Sequence, residues 1–472
     1  MVAILSFLLF FSGSWSLPLV DRDEPRFAEA SREMRERGDW LIPWFNGDYR
    51  FDKPPLIYWC QIAAGRLFGE TVLAVRLPSV LFASGVAVLL ALWGRRLGGA
   101  RVGWLAALFS ATCLQMLVHA RLAVADMPMV FFFLVSVWSG WEWTRPGGPV
   151  SRRWWWIFFI SLGLGFLAKG PVAWLPLGGL WLGRWRRPRE FHLPLGSSLA
   201  GLGLTLALIA CWGVPALVAT HGEFFKVGIG RHVVYRSVGV MEGHGVRGWL
   251  GYIATLPFFL LTFFASYQPW ACVFPRALGQ WWRQRRADAV GWYLLLQAGL
   301  VFIVFSLVRT KLPHYTLPAL PCLSLWLARE HAAGLAAPSL QPCRWAAIMA
   351  AVVAVITLVG FPLLKPFFPA QALARDTRPW LKPEMRFATV EFSEPSLVWE
   401  FRSHLTNRLQ FIPLEQASNF LAQAGPALLI LPTKHLAALS PFPASNQVQT
   451  AHATGLNTVK ASRVDITAVV KP

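Results

Sequence analysis

Charge is scarce in this chain. Only 14% of its residues are Asp, Glu, Lys or Arg, and 55% are hydrophobic, where a soluble domain carries roughly 25% charged residues. That shortage excludes disorder and argues against a soluble enzyme. Acids are scarcer still, with 24 Asp and Glu against 44 Lys and Arg and a net charge of +20. The six cysteines form no CxxC pair and no Cys/His cluster of zinc spacing. The last hundred or so residues hold none, so a tail outside the cytoplasm would fold without a disulfide. No fixed-period repeat and no low-complexity tract is present, which weakens a transporter built from two similar halves. No positive residue precedes the apolar run that begins at Met1. That run is expected to be a retained helix rather than a signal peptide, and its abrupt start allows for a longer N-terminus.

What the chain does have is long apolar runs. Stretches of about 17 to 25 apolar residues read as spanning helices. Eleven are placed here, centred near residues 11, 83, 110, 134, 161, 177, 206, 261, 299, 320 and 353. The basic residues fall in short clusters between them, such as RRPR at 186–189 and RQRR at 283–286. That is the pattern of cytoplasmic loops and excludes nucleic-acid binding as the reason for the charge. The loops near 95–101, 142–153, 184–190, 276–288 and 329–344 hold sixteen Arg, while the opposite loops after the first hold eight Lys and Arg. The bias places residues 21–70, 220–248 and everything after about 366 outside the cytoplasm. From about 376, β-like runs (RFATVEF, RLQFIPL, ALLILP, VDITAVV) alternate with helix-like ones (SLVWEFRSHL, EQASNFLAQA). The expected architecture is a polytopic α-helical membrane domain over 1–365 and a small extracytoplasmic α/β domain over 366–472.

Ten of the 24 acids lie between residues 21 and 70. Within that loop Phe27, Ala30 and Met34 make one apolar stripe, as in a helix lying at a membrane interface. Asp23 and Glu24 precede Pro25, so they read either as helix N-cap chemistry or as a general base or metal ligand at the mouth of the first span. Asp126, the one acid between Glu70 and Glu142, sits at the outer start of the fourth span. It too is either a cap or a functional group. Two carboxylates on different helices at one depth, Asp23 and Asp126, would suit a divalent cation. Lys53, before two prolines, reads as a rigid turn or as a cation for an anionic head group. Lys311, His314 and Tyr315, and in the 220–248 loop Lys226, Arg231, His232, Tyr235 and Arg236, add cations and aromatics on the same side.

The stretch DRDEPRFAEASREMRERGDWLIPWFNGDYRFDKPPLIYW resembles the first external loop of the glycosyltransferase family 39 type. That group includes protein O-mannosyltransferases and lipid A aminoarabinose transferases and shares the GT-C membrane fold. AVADMP, FLAKGP and KLPHYTLPALP resemble later family segments, and EPSLVWEF one in the external domain of some bacterial members. The resemblance implies transfer of a sugar from a polyprenyl-phosphate carrier, undecaprenyl or dolichyl, to a lipid, protein or glycan acceptor on the extracytoplasmic face of the cell membrane. By it, Asp23 corresponds to the key carboxylate, Asp126 to a second acid and Lys53 to a residue facing the carrier phosphate. Arg26, Arg231, Arg236 and Tyr315 are further carry-overs, and Phe27 stands where the family has Tyr. The expected reaction is one inverting displacement, with Asp23 as base and Lys53 and an Arg steadying the departing phosphate. Asp126 would orient Asp23 or hold a divalent ion with it. The other reading is a transporter or lipid flippase, which predicts polar residues spread along the span interiors.

Overall fold

A computed structural model of the chain describes residues 1–145, 151–187, 189, 191–235 (231–235 by backbone only), 248–334, 340–405, 408–439, 448–458 and 462–472. Compaction divides the chain into two units. One comprises Met1–Phe11, Phe51–Ile57 and Leu77–Val353, the other Ser12–Arg50, Tyr58–Arg76 and Ala354–Pro472. This grouping does not follow the linear boundary expected at 365. The reason is packing: the helix Asp23–Arg37 lies against the helix Pro395–Phe401 of the tail, so Ser12–Arg50, Tyr58–Arg76 and the tail fall in one unit.

The described residues of the first unit form helices and their connections, with no strand among them. Each of the eleven expected centres falls within a helix. Among the described residues five helical stretches are long and apolar enough to cross a membrane: Val72–Thr112, Leu195–Ala219, Trp249–Ser266, Ala289–Leu307 and Gln341–Phe367. The chain is therefore a multi-pass membrane protein, and the count of eleven stays an expectation from hydropathy. The other helices at expected centres are short, as Leu175–Arg186 is, or carry charge, as Asp126–Thr144 and Arg152–Lys169 do.

Val72–Thr112 contains two of the expected spans, and it breaks at Gly98 and Gly99, whose φ of 81° suits glycine. A Cβ built on Gly94 would lie 2.7 Å from the Cα of Gly103, whereas nine residues of straight helix cover about 13.5 Å. The two arms therefore run back along each other. The core between helices is aromatic, with Trp93, Phe133, Phe158, Phe159, Tyr293 and Trp326 fully buried. Polar links tie some of the buried hydroxyls: Tyr293 Oη donates to the Val137 carbonyl at 2.7 Å and Thr205 Oγ1 to that of Phe159 at 2.8 Å.

The second unit is built on a five-stranded sheet of order β4-β3-β5-β7-β6. Its strands are β3 (Arg386–Thr389), β4 (Gln410–Phe411), β5 (Ala427–Pro432), β6 (Gln449–Asn457) and β7 (Ser462–Lys471). β3 is parallel to β4 and β5, and β7 is antiparallel to β5 and β6. Side chains alternate along each strand. Leu428, Ile430 and Val470 meet one core, and Leu429, Leu431 and Val469 meet the other. This is why ALLILP reads as an unbroken apolar run. A small hairpin, β1 (Trp44–Phe45) and β2 (Asp48–Tyr49), turns at Asn46 and Gly47, both at positive φ, the preferred residues for such a turn. The Asn46 amide exchanges two hydrogen bonds with the Leu409 backbone, at 2.9 and 2.8 Å.

Candidate functional site

Proline at its third position and acids at its start favour the helix Asp23–Arg37, which closes on Gly38 in the left-handed region. Its N-cap is Arg22, and no side chain caps it. Asp23 is therefore not a cap. It is exposed at the first helical position. Glu24 is a different matter: it is 2% exposed and forms a bidentate pair with the buried Arg76, at 2.8 and 2.7 Å. The expectation that Glu24 acts catalytically is corrected, because both its oxygens are committed to that guanidinium. Asp21 accepts the Ser396 N–H at 2.9 Å. Burial pushes the Asp21 carboxyl up to about 6, against its hydrogen bonds to Ser396 and the nearby charge of Arg26. The structure thus places Arg26 within electrostatic reach of Asp21.

In the other unit Asp126 opens the helix Asp126–Thr144, with Ala125 as N-cap and no capping side chain. Its partner is Lys169, 2.5 Å away, the last residue of the helix Arg152–Lys169. Each charge complements its own helix end as well as the other residue. Around the pair stand two imidazoles: the His119 and His314 rings are 5.2 Å apart, and the charge of Asp126 acts on both. His314 lies in the turn Pro313–Thr316. Burial, with the repulsion of Lys169, His119 and Lys53, drives its imidazole down to about 3 despite Asp126, so it is neutral at physiological pH. Lys53 donates to the Asp52 carbonyl at 3.1 Å and lies within electrostatic range of His314. Sequence reasoning missed Lys169 as a partner and His119 altogether.

Two residues expected at the phosphate, Lys311 and Tyr315, have partners within their own unit. Lys311 is buried and donates to the carbonyls of Phe305 and Ser306, at 3.2 and 2.5 Å. It closes the end of the helix Ala289–Leu307, where a cation is favourable. Tyr315 packs on Phe305, with centroids 4.9 Å apart, and against the edge of His314. Arg236 lies outside the described residues, as does the side chain of Arg231. Among the described residues no group of three or more His, Cys, Asp or Glu is arranged to hold a metal ion. Asp126 is already balanced by Lys169, and Asp23 belongs to the other unit. A divalent cation stays an expectation, and no step is routed through one.

Residues 1–226 match the family model described as dolichyl-phosphate-mannose-protein mannosyltransferase. The chain is 29% identical over 379 residues to undecaprenyl phosphate-alpha-4-amino-4-deoxy-L-arabinose arabinosyl transferase 1 of Pseudomonas fluorescens, covering 76% of this chain and 66% of that protein. It is 32% identical over 314 residues to the corresponding transferase of Pseudomonas aeruginosa, covering 64% of this chain and 54% of that one. The chain thus spans between about half and two thirds of these relatives. Among solved structures, ArnT from Cupriavidus metallidurans bound to undecaprenyl phosphate superposes with a TM-score of 0.75 at 20% identity, covering 99% of this chain and 97% of that one. The apo oligosaccharyltransferase of Archaeoglobus fulgidus gives 0.50 at 13% identity, covering 96% and 69%. The chain has the GT-C membrane fold and resembles the aminoarabinose transferases and protein mannosyltransferases.

Proposed function

We propose that the chain is an integral-membrane glycosyltransferase. It moves a sugar from an undecaprenyl- or dolichyl-phosphate carrier to a lipid, protein or glycan acceptor, on the extracytoplasmic face of the cell inner membrane. The single observation that carries this reading is Asp23, an exposed carboxylate at a helix start where it caps nothing, in a stretch similar to that of carrier-dependent transferases. The acceptor hydroxyl gives its proton to Asp23, worth about 10²- to 10⁴-fold for a positioned base. Its oxygen bonds to the anomeric carbon as the bond to the carrier phosphate breaks, and the phosphate leaves with the electron pair. Lys53 offsets the charge gathering on that phosphate, where exclusion of water makes it most effective. A phosphate monoester leaves readily, so no acid is needed opposite the base.

On the acceptor side, a cavity of about 510 Å³ flanks the helix Asp23–Arg37, lined by Glu29, Arg32, Glu33, Arg37, Trp44 and Arg408 among others. Its cations are paired with carboxylates, Arg32 with Glu29, Arg37 with Glu33 and Arg408 with Asp48. A balanced polar wall of this kind suits a polyhydroxylated acceptor better than a free phosphate. The transporter reading is not favoured by the similarity to transferases.

The test compares wild type with Asp23→Asn, purified in lipid, given radiolabelled polyprenyl-phosphate sugars and a crude envelope extract. Label transfer by wild type alone is the expected result. Equal transfer by the variant removes Asp23 as base, and lipid movement between leaflets without any transfer replaces the reading with a flippase.

A further inference from the structure

We infer that Arg76 is a positioning residue for Asp23, acting through Glu24. This rests on the reading of Asp23 as the base. Four charged residues follow one another at 21–24, and three of them are tethered. Asp21 holds the Ser396 N–H at 2.9 Å, Arg22 stands 3.7 Å from Glu394, and Glu24 grips Arg76. Among the described residues Asp23 alone of the four makes no hydrogen bond or ion pair, and it is the exposed one. The backbone that presents it is therefore fixed from both sides while its carboxylate is left for other work.

Arg76 supplies the greater part of that fixing. All five of its N–H donors are used. Nε and one terminal nitrogen bind the two oxygens of Glu24, at 2.8 and 2.7 Å. The remaining N–H groups bind the carbonyls of Ser14, Leu17 and Pro18, at 2.9, 2.8 and 2.9 Å. Glu24 in turn accepts the Val20 N–H at 3.0 Å. One guanidinium thus gathers the backbone from residue 14 to residue 20 and ties it to the residue next to Asp23. Both side chains are almost wholly buried, at 3% and 2%. A buried pair of this kind is a weak source of net stability, and its evident result is a single loop geometry. Only a planar fork can make this set of bonds; a lysine ammonium has three donors and no plane.

Misplacing a reacting group by about 1 Å costs on the order of 10²-fold in rate. Arg76→Lys and Glu24→Gln, each in the full chain in lipid, are therefore expected to lower kcat about 10²-fold. The KM for the radiolabelled polyprenyl-phosphate sugar should stay within about twofold, the signature of a loss felt in the transition state alone. A merely structural role would instead scale the amount of active protein, which titration of folded enzyme by tryptophan fluorescence reads separately. If Arg76→Lys does not fold, Glu24→Gln, which keeps the side-chain shape, carries the test by itself. A wild-type kcat in Glu24→Gln overturns the proposal. Failure of the base reading looks different: Asp23→Asn would then turn over normally, whatever the other two variants do.

Discussion

The Lys169 ammonium and the Asp126 carboxylate stand 2.5 Å apart at the facing ends of two helices, 43 positions apart in the chain. The pair answers what a carboxylate at a membrane boundary requires, a partner.

Breaking that pair from one side should be costly. Lys169→Met strands a buried carboxylate, with an expected loss of about 3–5 kcal/mol. Adding Asp126→Asn to it should return much of that loss. A double-mutant cycle on thermal unfolding in detergent measures the coupling, and additive losses would mean that the two groups do not interact.

Lys53→Ala should weaken use of the donor. Losing one charge-assisted contact to phosphate costs about 1.5–3 kcal/mol, or roughly a ten- to hundredfold rise in KM for the carrier-linked sugar. An unchanged KM would assign Lys53 to the turn before its two prolines.

Lys311→Ala should leave that KM where it is. Its ammonium serves the carbonyls of Phe305 and Ser306, so the expected effect is a stability loss of about 1 kcal/mol, as for a cation at a helix C-terminus. A large rise in donor KM would return Lys311 to the phosphate.

The second unit should be most stable in mild acid. Burial raises the Asp21 carboxyl to about 6 and the Glu400 carboxyl to about 7, helped by the charge of Glu394 at the first and by that of Asp21 at the second. Both groups hold protons more tightly folded than unfolded. Their contribution is full below the usual carboxylate range and is lost as pH rises through about 6 to 7. Hydrogen exchange over residues 395–401, corrected for the intrinsic rate, should therefore be faster at pH 8 than at pH 5, and Glu400→Gln should flatten the difference.

How far the sequence was legible follows from distance along the chain. Apolar runs and the proline near the start of a polar helix are local signals, and the structure has helices at each. The tail's strands were legible where they were apolar, as in ALLILP. The strand Gln449–Asn457 escaped because its residues alternate exposed and buried, and apart from Leu456 all are small or polar. Arg76 and Lys169 escaped for another reason. They meet Glu24 and Asp126 across 52 and 43 residues, and no periodicity in one sequence encodes such pairings. Lys311 misled because a basic residue beside aromatics looks alike whether it faces a ligand or a helix end.

The break at Gly98 and Gly99 has a consequence for sidedness. Unbroken, the 41 residues of Val72–Thr112 would extend about 60 Å, twice the hydrocarbon thickness, and would count as one crossing. Folded at Gly98 and Gly99, the second arm instead returns along the first, past Gly94 and Gly103. The direction in which the chain runs on towards Asp126 is thus set by four residues that have no side chain.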